Sequence, residues 1–136
     1  REWFEAAQKT DPAQVHFAIE TLDGRHIGNS GLFKISHVHG TAESGTLIGD
    51  PADRRKGYGT DSVRVRAHYA FSVLGLRMLF SGHFGGNEAS ARMQEKAGYV
   101  VVGTRPKSFW KRGEYRDMVQ TMLTRERFYE LNPGMK

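Results

Sequence analysis

The chain has 136 residues and a formal net charge of +5, from 20 Lys and Arg residues against 15 Asp and Glu residues. This length favours one domain around a single core. Hydrophobic residues make up 38% of the chain, too many for a wholly disordered protein, and no stretch approaches the ~20 consecutive apolar residues of a membrane span. The absence of cysteine excludes disulfides, thiolate catalysis and Cys-ligated metals, and it fits a reducing cytoplasm.

The first third of the chain has the pattern of an antiparallel meander. Val15, Phe17 and Ile19 recur with the period of two that is typical of a strand, and Asp23-Gly24 predicts a hairpin turn after them. The predicted elements of this part are a helix over 1–11 and strands over 15–20, 26–33 and 46–48, with a polar, turn-rich segment over 37–45.

The centre of the chain changes to a helical period. Val63, Ala67 and Ala70 begin an apolar stripe that predicts a helix over 60–74, with Gly75 as its C-terminal cap. A strand, a helix and a further strand follow, which implies a parallel crossover. The predicted fold class is therefore α+β, a layered α/β arrangement with a mixed, mostly antiparallel sheet. The later predicted elements are a strand over 76–84, a helix over 88–97, strands over 99–102 and 115–123, and a helical turn over 125–131.

The segment Arg54-Arg55-Lys56-Gly57-Tyr58-Gly59-Thr60 lies between a short strand and the central helix. Two glycines one residue apart allow a tight turn, and the start of a helix offers unpaired N–H groups and the positive end of a dipole. Together with three basic residues these features predict a cradle for phosphate. The segment has neither P-loop spacing nor the third glycine of a dinucleotide fingerprint. The alternative is a solvated basic helix start.

This segment, read from Leu47 onward, resembles the acetyl-CoA-binding motif of the GNAT superfamily (Gcn5-related N-acetyltransferases), Gln/Arg-x-x-Gly-x-Gly/Ala. Asn87-Glu88-Ala89-Ser90 and Glu95-Lys96-Ala97-Gly98-Tyr99 are similar to that family's Asn-x-x-Ser and Glu-Lys-x-Gly-Phe/Tyr elements. The resemblance covers about residues 15–123 and is greatest to the branch that includes ribosomal-protein N-terminal acetyltransferases. It implies an acyl-CoA N-acyltransferase-like fold, with a splayed parallel strand pair and flanking helices.

The resemblance also implies acetyl-CoA as co-substrate, with its pantetheine arm between the strands at 46–48 and 76–84. Backbone groups near Leu47 and Ile48 would pair with the pantetheine amides, and Asn87 would reach the same arm, its alternative being a turn residue before a helix. The N–H groups of the glycine segment would hold the pyrophosphate. The cofactor-binding residues implied in this way are Leu47, Ile48, Arg54, Arg55, Lys56, Gly57, Tyr58, Gly59, Thr60 and Asn87.

Catalysis requires removal of an amine proton, stabilisation of an oxyanion and protonation of the departing thiolate. The family's tyrosine acid, seven residues after the Asn, is replaced by Gln94 in this chain. Ser90 is a candidate for contact with the sulfur, its alternative being a helix cap. Glu43 is a candidate base and His83 a candidate proton shuttle, the alternatives being an exposed carboxylate and a packed histidine. The histidine spacing predicts no metal site.

The predicted function is transfer of an acetyl group from acetyl-CoA directly to a primary amine, on a small molecule or a protein N-terminus. The alternative is a non-catalytic module that binds acyl-CoA or nucleic acid with the same basic glycine loop. Phe109 and Trp110, in a basic loop, are predicted to contact the acceptor.

The whole chain, residues 1–136, is predicted to be a single GNAT-like domain without the family's usual N-terminal strand and most of its first helices. Such a shortened fold would expose apolar sheet surface, which predicts a homodimer. A cytoplasmic location is expected, with neither a membrane nor nucleic acid as partner.

Overall fold

The computed structural model describes residues 12–48 and 57–135. The predicted helix over 1–11 and the basic side chains Arg54, Arg55 and Lys56 lie outside the described residues. The elements are β1 (Val15–Glu20), β2 (His26–Ser36), β3 (Thr41–Ile48), α1 (Tyr58–His68) continued by a π-helical turn (Tyr69–Val73), β4 (Met78–Phe84), α2 (Glu88–Ala97), β5 (Val100–Lys111), β6 (Glu114–Thr124), α3 (Arg125–Leu131) and a 3-10 turn (Pro133–Met135).

The six strands form one sheet in the order β1-β2-β3-β4-β6-β5. Only β3 and β4 pair in parallel, whereas every other neighbouring pair is antiparallel. The chain moves in one direction across the sheet through the crossovers that contain α1 and α2. Because such crossovers are right-handed, both helices lie on the same face. The mixed, mostly antiparallel sheet with one parallel pair and flanking helices confirms the predicted fold class.

The hydrophobic core lies between the sheet and these helices. Leu32, Leu79 and Leu123 contribute fully buried side chains from three strands, and Val63 and Phe128 cover them from α1 and α3. The opposite, open face of the sheet carries Phe80, which is 37% exposed. The two faces of the sheet therefore differ, one packed under helices and one open in the described part of the chain.

Several boundaries differ from the predicted ones because tertiary contacts outweigh local sequence preference, and the differences at β3 and α1 bear on the site. β3 begins at Thr41, five residues earlier than predicted, because its polar first half pairs with the end of β2 and with β4. α1 begins at Tyr58 and ends early in a π-helical turn, in which the Leu74 N–H donates to the carbonyl of Tyr69.

The hairpin of β5 and β6 is much longer than predicted. Phe109 and Trp110 are strand residues paired with Arg116 and Tyr115, so the prediction of a loop at this position is wrong. Arg112 and Gly113 form the turn, with φ angles of 53° and 83° that suit a type I′ hairpin. Within the ranges described, no helix combines the length and the apolar character needed to cross a membrane.

Candidate active site

The two parallel strands separate and leave a gap between them. β3 and β4 pair at three positions only, the last of which is Glu43 opposite Phe80. Beyond it, residues 44–48 of β3 pair with β2 alone, and residues 81–84 of β4 pair with β6 alone. The facing edges of both strands therefore lack a strand partner in residues 12–48 and 57–135, and a ligand with amide groups can pair with them as an added strand would.

Main-chain polar groups line the β3 side of this gap. The carbonyl of Ser44 accepts a hydrogen bond from Ser81 Oγ at 3.0 Å, so it faces β4. Since peptide groups alternate along a strand, those of Thr46 and Ile48 face the same way. Those of Leu47 face β2, where Leu47 pairs with Asn29. The alternation favours Ile48 over Leu47 for backbone contact with a ligand in the gap.

The closed end of the gap, defined here by Ser44, Ser81 and Tyr99, is filled by polar side chains, of which Ser44 and Tyr99 are buried and Ser81 is half-buried. Ser44 Oγ donates to the Phe80 carbonyl at 3.0 Å and lies 2.8 Å from the hydroxyl oxygen of Tyr99. Tyr99 follows Gly98, whose φ of 103° ends α2 and directs the chain down to the sheet. Ser44, Ser81 and Tyr99 were not predicted as site residues, because three separate segments bring them together.

Arg66 completes this polar cluster from α1. Its side chain is 2% exposed, and its Nη1 donates to Ser30 Oγ, the Gly45 carbonyl and Thr46 Oγ1 at 2.6–3.0 Å. Its Nη2 donates to the Tyr99 hydroxyl at 3.3 Å. Sequence reasoning missed this residue, although it lies on the buried side of the helix, three residues after Val63.

The start of α1 lies at the edge of the sheet where β3 ends, which is the open end of the gap. Its N-cap residue is Gly57, with a φ of 85°, and no side chain of the described residues caps the helix there. A Cβ added at Gly57 would meet no atom of the described residues within 4 Å, its chain neighbours aside. The first turn therefore combines uncapped N–H groups, the positive end of the helix dipole and open space, which together suit an anion.

Gly59 has a different role from Gly57. A Cβ at Gly59 would lie 2.8 Å from Sδ of Met93 on α2. The absence of a side chain here allows α1 and α2 to approach each other closely. The second glycine of the motif thus serves helix packing, whereas the first faces the open space.

The start of α2 is capped by its own side chain. Asn87 Oδ1 accepts from the backbone N–H of Ser90 at 3.2 Å, so Asn87 is the N-cap and the Ser90 hydroxyl is not the capping acceptor. The capping alternative for Ser90 is therefore wrong, and that hydroxyl stays a candidate for contact with sulfur. For Asn87 the capping role is present, through its amide oxygen.

Gln94 replaces the tyrosine that the resemblance leads one to expect, and it is buried. Its Nε2 donates to Ser81 Oγ and to the Gly82 carbonyl at 3.3 Å and 2.9 Å, while its Oε1 accepts from Thr121 at 2.6 Å. These bonds tie α2 to β4 and β6. Gln94 is thus a structural link beside the gap, and an amide at this position is no proton donor for a thiolate.

Glu43 lies on the open face of the sheet, opposite Ala42 and Leu79, which are buried under the helices. It is paired with Phe33 on one side and with Phe80 on the other, so an exposed carboxylate stands between two aromatic side chains. Its only ion pair in the described part of the chain is with Lys34, at 3.5 Å and on the surface.

His83 lies on the helix side, because it alternates with Leu79 and Ser81 along a regularly paired strand. Its Nδ1 is 3.3 Å from the carbonyl of Phe84. Glu43 and His83 therefore approach the gap from opposite faces, and the structure does not bring them together.

The predicted acceptor residues Phe109 and Trp110 lie near the end of the β5–β6 hairpin. Phe109 packs edge-on against Phe84, with ring centres 5.5 Å apart, so it adjoins the open part of β4. Trp110 instead packs edge-on against Tyr115, with ring centres 4.9 Å apart, and both residues are 64% exposed. Of the two, only Phe109 contacts a residue of the gap.

A mixed sheet with one splayed parallel pair, a glycine at the start of the following helix and a polar closed end defines the acyl-CoA N-acyltransferase fold. Spermidine N-acetyltransferase from Vibrio cholerae, solved in complex with CoA and spermine, superimposes with a TM-score of 0.84 at 23% identity. That alignment covers 93% of this chain and 75% of the solved chain.

The family model of the GNAT acetyltransferase domain matches residues 1–100. The chain belongs to the GNAT acetyltransferase family; it is an N-acetyltransferase with acetyl-CoA as its co-substrate. Among curated relatives, the spermidine N(1)-acetyltransferase of Vibrio cholerae is 24% identical over 87% of this chain and 68% of its own length. The probable N-acetyltransferase YjcK of Bacillus subtilis is 35% identical over 76% of this chain and 58% of its own length.

Proposed function

We propose that this chain transfers the acetyl group of acetyl-CoA to a primary amine of a small polycationic molecule, with a polyamine as the favoured class. The gap between residues 44–48 and 81–84 carries the proposal, because it leaves two strand edges that no described strand pairs with. The relatives whose names specify an acceptor act on spermidine, which supports a small amine over a protein N-terminus. The resemblance to the ribosomal-protein branch makes a protein N-terminus the competing class of acceptor.

In the proposed complex the diphosphate of acetyl-CoA binds at the uncapped start of α1, beside Gly57. The main chain of Tyr58, Gly59 and Thr60 supplies N–H groups there, and the basic residues 54–56 precede it in sequence. The pantetheine arm then lies in the gap and pairs with the main chain near Leu47 and Ile48. The amide nitrogen of Asn87 donates to the same arm, since its oxygen is engaged in the cap.

The thioester in this arrangement reaches the closed end of the gap. The amine approaches from the open face, where Glu43 takes its proton directly or through a water. The amine nitrogen bonds to the acetyl carbon, the C–S bond breaks and sulfur leaves as a thiolate. Ser90, in the first turn of α2, hydrogen-bonds the sulfur, and His83 accepts and returns protons on the helix side.

The open face offers features that fit a cationic acceptor. Phe33 lies against Gly31, where an added Cβ would be only 2.5 Å from its ring, so this aromatic ring lies along the sheet. Phe33, Glu43 and Phe80 thus form a row across β2, β3 and β4. A carboxylate flanked by aromatic rings attracts an ammonium group by charge and by cation–π contact.

Release of free thiol from acetyl-CoA tests this function directly. Spermidine, spermine, an aminoglycoside and peptides with a free N-terminus are compared as acceptors, with N-acetylated peptides as controls. We expect polyamines to give a kcat/KM at least tenfold above the peptides. Tight CoA binding without release by any amine would contradict the enzyme function and favour a binding module, and a faster peptide would favour the ribosomal-protein branch.

The predicted homodimer also stays a proposal. β5 is an edge strand of the sheet, and Val100, Val101 and Val102 on it are about half exposed or more. Such an apolar edge favours association with a second copy. Light scattering at assay concentration is expected to give twice the chain mass, and a monomeric mass would contradict the proposal.

A further inference from the structure

Arg66 is a buried cation that has no acidic partner among the described residues. The guanidinium is 2% exposed, and its hydrogen-bond acceptors in the described part of the chain are carbonyl and hydroxyl oxygens, all of them neutral. Its Nε is buried and has no hydrogen-bond acceptor among the same residues. A buried charge with only neutral partners is costly to the folded protein, and negative charge that develops beside it during a reaction would compensate it.

The hydrogen bonds around Arg66 have a defined direction. The guanidinium can only donate, so Tyr99 accepts from Nη2. Ser44 donates its hydroxyl hydrogen to the Phe80 carbonyl, which leaves it to accept from the Tyr99 hydroxyl. The chain Arg66 to Tyr99 to Ser44 to the Phe80 carbonyl therefore runs from the cation to the point where β3 and β4 part.

The position of Arg66 along α1 indicates which part of bound acetyl-CoA lies near it. It lies eight residues after the first residue of α1, which is about 12 Å along the helix axis. The diphosphate site at Gly57 is therefore not its target. Its contacts with Gly45 and Thr46, and through Tyr99 with Ser44, place it beside the inner half of the gap, where the thioester lies in the proposed function.

We propose that Arg66 is a positioning residue for the acetyl transfer: its buried charge orients the hydroxyls of Tyr99 and Ser44 so that their hydrogens point from the cation toward the gap, and the field of the charge and of these dipoles stabilises the negative charge that the sulfur acquires as the C–S bond breaks. The proposal rests on the proposed function. In the step concerned, the amine forms the new C–N bond and loses a proton, and sulfur keeps the bonding pair as a thiolate until it is protonated.

Other charged and titratable groups approach the gap from the elements around it. His83 on β4 and Tyr99 before β5 lie on the helix side, while Glu43 of β3, paired with Lys34, lies on the open face. None of these places a permanent positive charge at the closed end of the gap. Only Arg66 does so among the described residues, and burial protects its field from screening by salt.

The thiol of bound CoA gives a readout that is independent of turnover. The ultraviolet absorbance of the thiolate is followed against pH for free CoA and for CoA bound to the enzyme. A positive charge near the sulfur favours the thiolate, so we expect the pKa of the bound thiol to lie about one unit below that of free CoA. This difference should persist when the salt concentration is raised to about 1 M.

Variants separate this charge effect from support of the fold. Arg66→Gln should raise the pKa of the bound thiol to that of free CoA and lower kcat about tenfold, the equivalent of one pKa unit, with little change in KM for acetyl-CoA. Arg66→Lys keeps the charge and should retain most of the shift in the thiol pKa and most of kcat. Tyr99→Phe removes one hydroxyl at constant volume and should lower kcat a few-fold with KM unchanged.

Arg125→Gln is the matched control. Arg125 also has a buried Nε without an acceptor among the described residues, and it donates to the carbonyls of Phe71 and Leu76, away from the gap. Its loss should lower the melting temperature without moving the thiol pKa. If Arg66→Gln behaves in the same way, Arg66 only supports the fold and the proposal is overturned.

Titration of CoA bound to the wild-type protein tests the role of Arg66 even if Arg66→Gln does not fold. A bound thiol that titrates like free CoA contradicts the role of Arg66 and leaves acetyl transfer intact. Failure of the wild-type protein to bind CoA contradicts the proposed function itself, and the inference with it.

Discussion

The open end and the closed end of the gap differ in whether their polar groups are already hydrogen-bonded. At the open end, Gly57 starts α1 without a side-chain cap from the described residues, and a Cβ added there would meet none of their atoms within 4 Å. At the closed end, Ser44, Ser81 and Tyr99 are bonded to one another or to the main chain. One end leaves polar groups available, whereas the other satisfies them within the protein.

This difference indicates which end of the gap binds acetyl-CoA and which end takes part in the acetyl transfer. Uncapped N–H groups are stabilised when an anion accepts their hydrogen bonds, so the open end can supply affinity for a diphosphate. A rigid, preorganised polar cluster gains little from binding but holds its dipoles and charge in place when charge develops in a reaction. We therefore expect substitutions at the open end to change affinity for acetyl-CoA and substitutions near the closed end to change kcat.

The largest effect is expected at Gly57. Gly57→Asp places a carboxylate beside the diphosphate and should weaken acetyl-CoA binding about 100-fold or more by charge repulsion. Gly57→Asn is the matched control, because Asn and Asp adopt the φ of 85° with comparable ease. Calorimetric titration with CoA measures both variants. Equal affinities for the two would show that the diphosphate binds elsewhere.

The next largest effect concerns Glu43, at the last paired position before the gap. Glu43→Gln keeps the shape of the side chain and removes its basicity, so kcat with a polyamine should fall about 100-fold while the affinity for CoA is retained. Lys34→Gln is the control, since it removes only the surface ion pair of Glu43 and should leave kcat within about twofold. Full activity of Glu43→Gln would exclude Glu43 as the base.

Local signals in the sequence predicted the elements around the gap. Asn87 before the helix and Gly98 after it predict the bounds of α2, and the structure confirms them, because a cap and a left-handed residue act within a few residues of chain. The change from a period of two to a helical period likewise predicted the strands and α1. The order of these elements was sufficient for the fold class.

The closed end could not be predicted in the same way. Ser44, Arg66 and Tyr99 come from three segments that are far apart in the sequence. Their hydrogen bonds form only when the folded sheet brings them together, so no local pattern predicts the cluster. One signal was present: Arg66 falls on the apolar side of α1, between Val63 and Ala67, where a charged residue is unusual. The resemblance did not reveal it, since the motif elements lie at the start of α1 and in α2.

A smaller effect is expected at Asn87, which follows β4 at the open end of the gap and combines a cap with a proposed contact to pantetheine. Asn87→Ala should reduce the free energy of unfolding by about 1 kcal/mol through loss of the cap, and affinity for acetyl-CoA about tenfold through loss of the amide nitrogen. Asn87→Ser restores a capping oxygen without that nitrogen. We expect it to recover stability in urea unfolding but not affinity.

Recovery of both quantities in Asn87→Ser would show that Asn87 acts only as a cap. In that case the open end would depend on α1 alone, and the contrast between the two helix starts would become sharper. Loss of stability in Asn87→Ser equal to that of the alanine variant would contradict the capping role.

The smallest effect is expected at Gly59, where the motif itself accepts alanine. Gly59→Ala would bring a methyl group to 2.8 Å from Sδ of Met93. Because a methionine side chain adapts easily and alanine favours helix, the free energy of unfolding should change by less than about 1 kcal/mol. Affinity for acetyl-CoA should stay within about threefold, in contrast with Gly57→Asp.

A larger residue at the same position gives the decisive comparison. Gly59→Val should destabilise the protein by about 1–3 kcal/mol through overpacking, and Met93→Ala in the same chain should recover part of that loss. Urea unfolding of the two single variants and the double variant measures this coupling. If Met93→Ala brings no recovery, or if Gly59→Ala alone abolishes CoA binding, the second glycine lies against the ligand and belongs to the open end, as the first does.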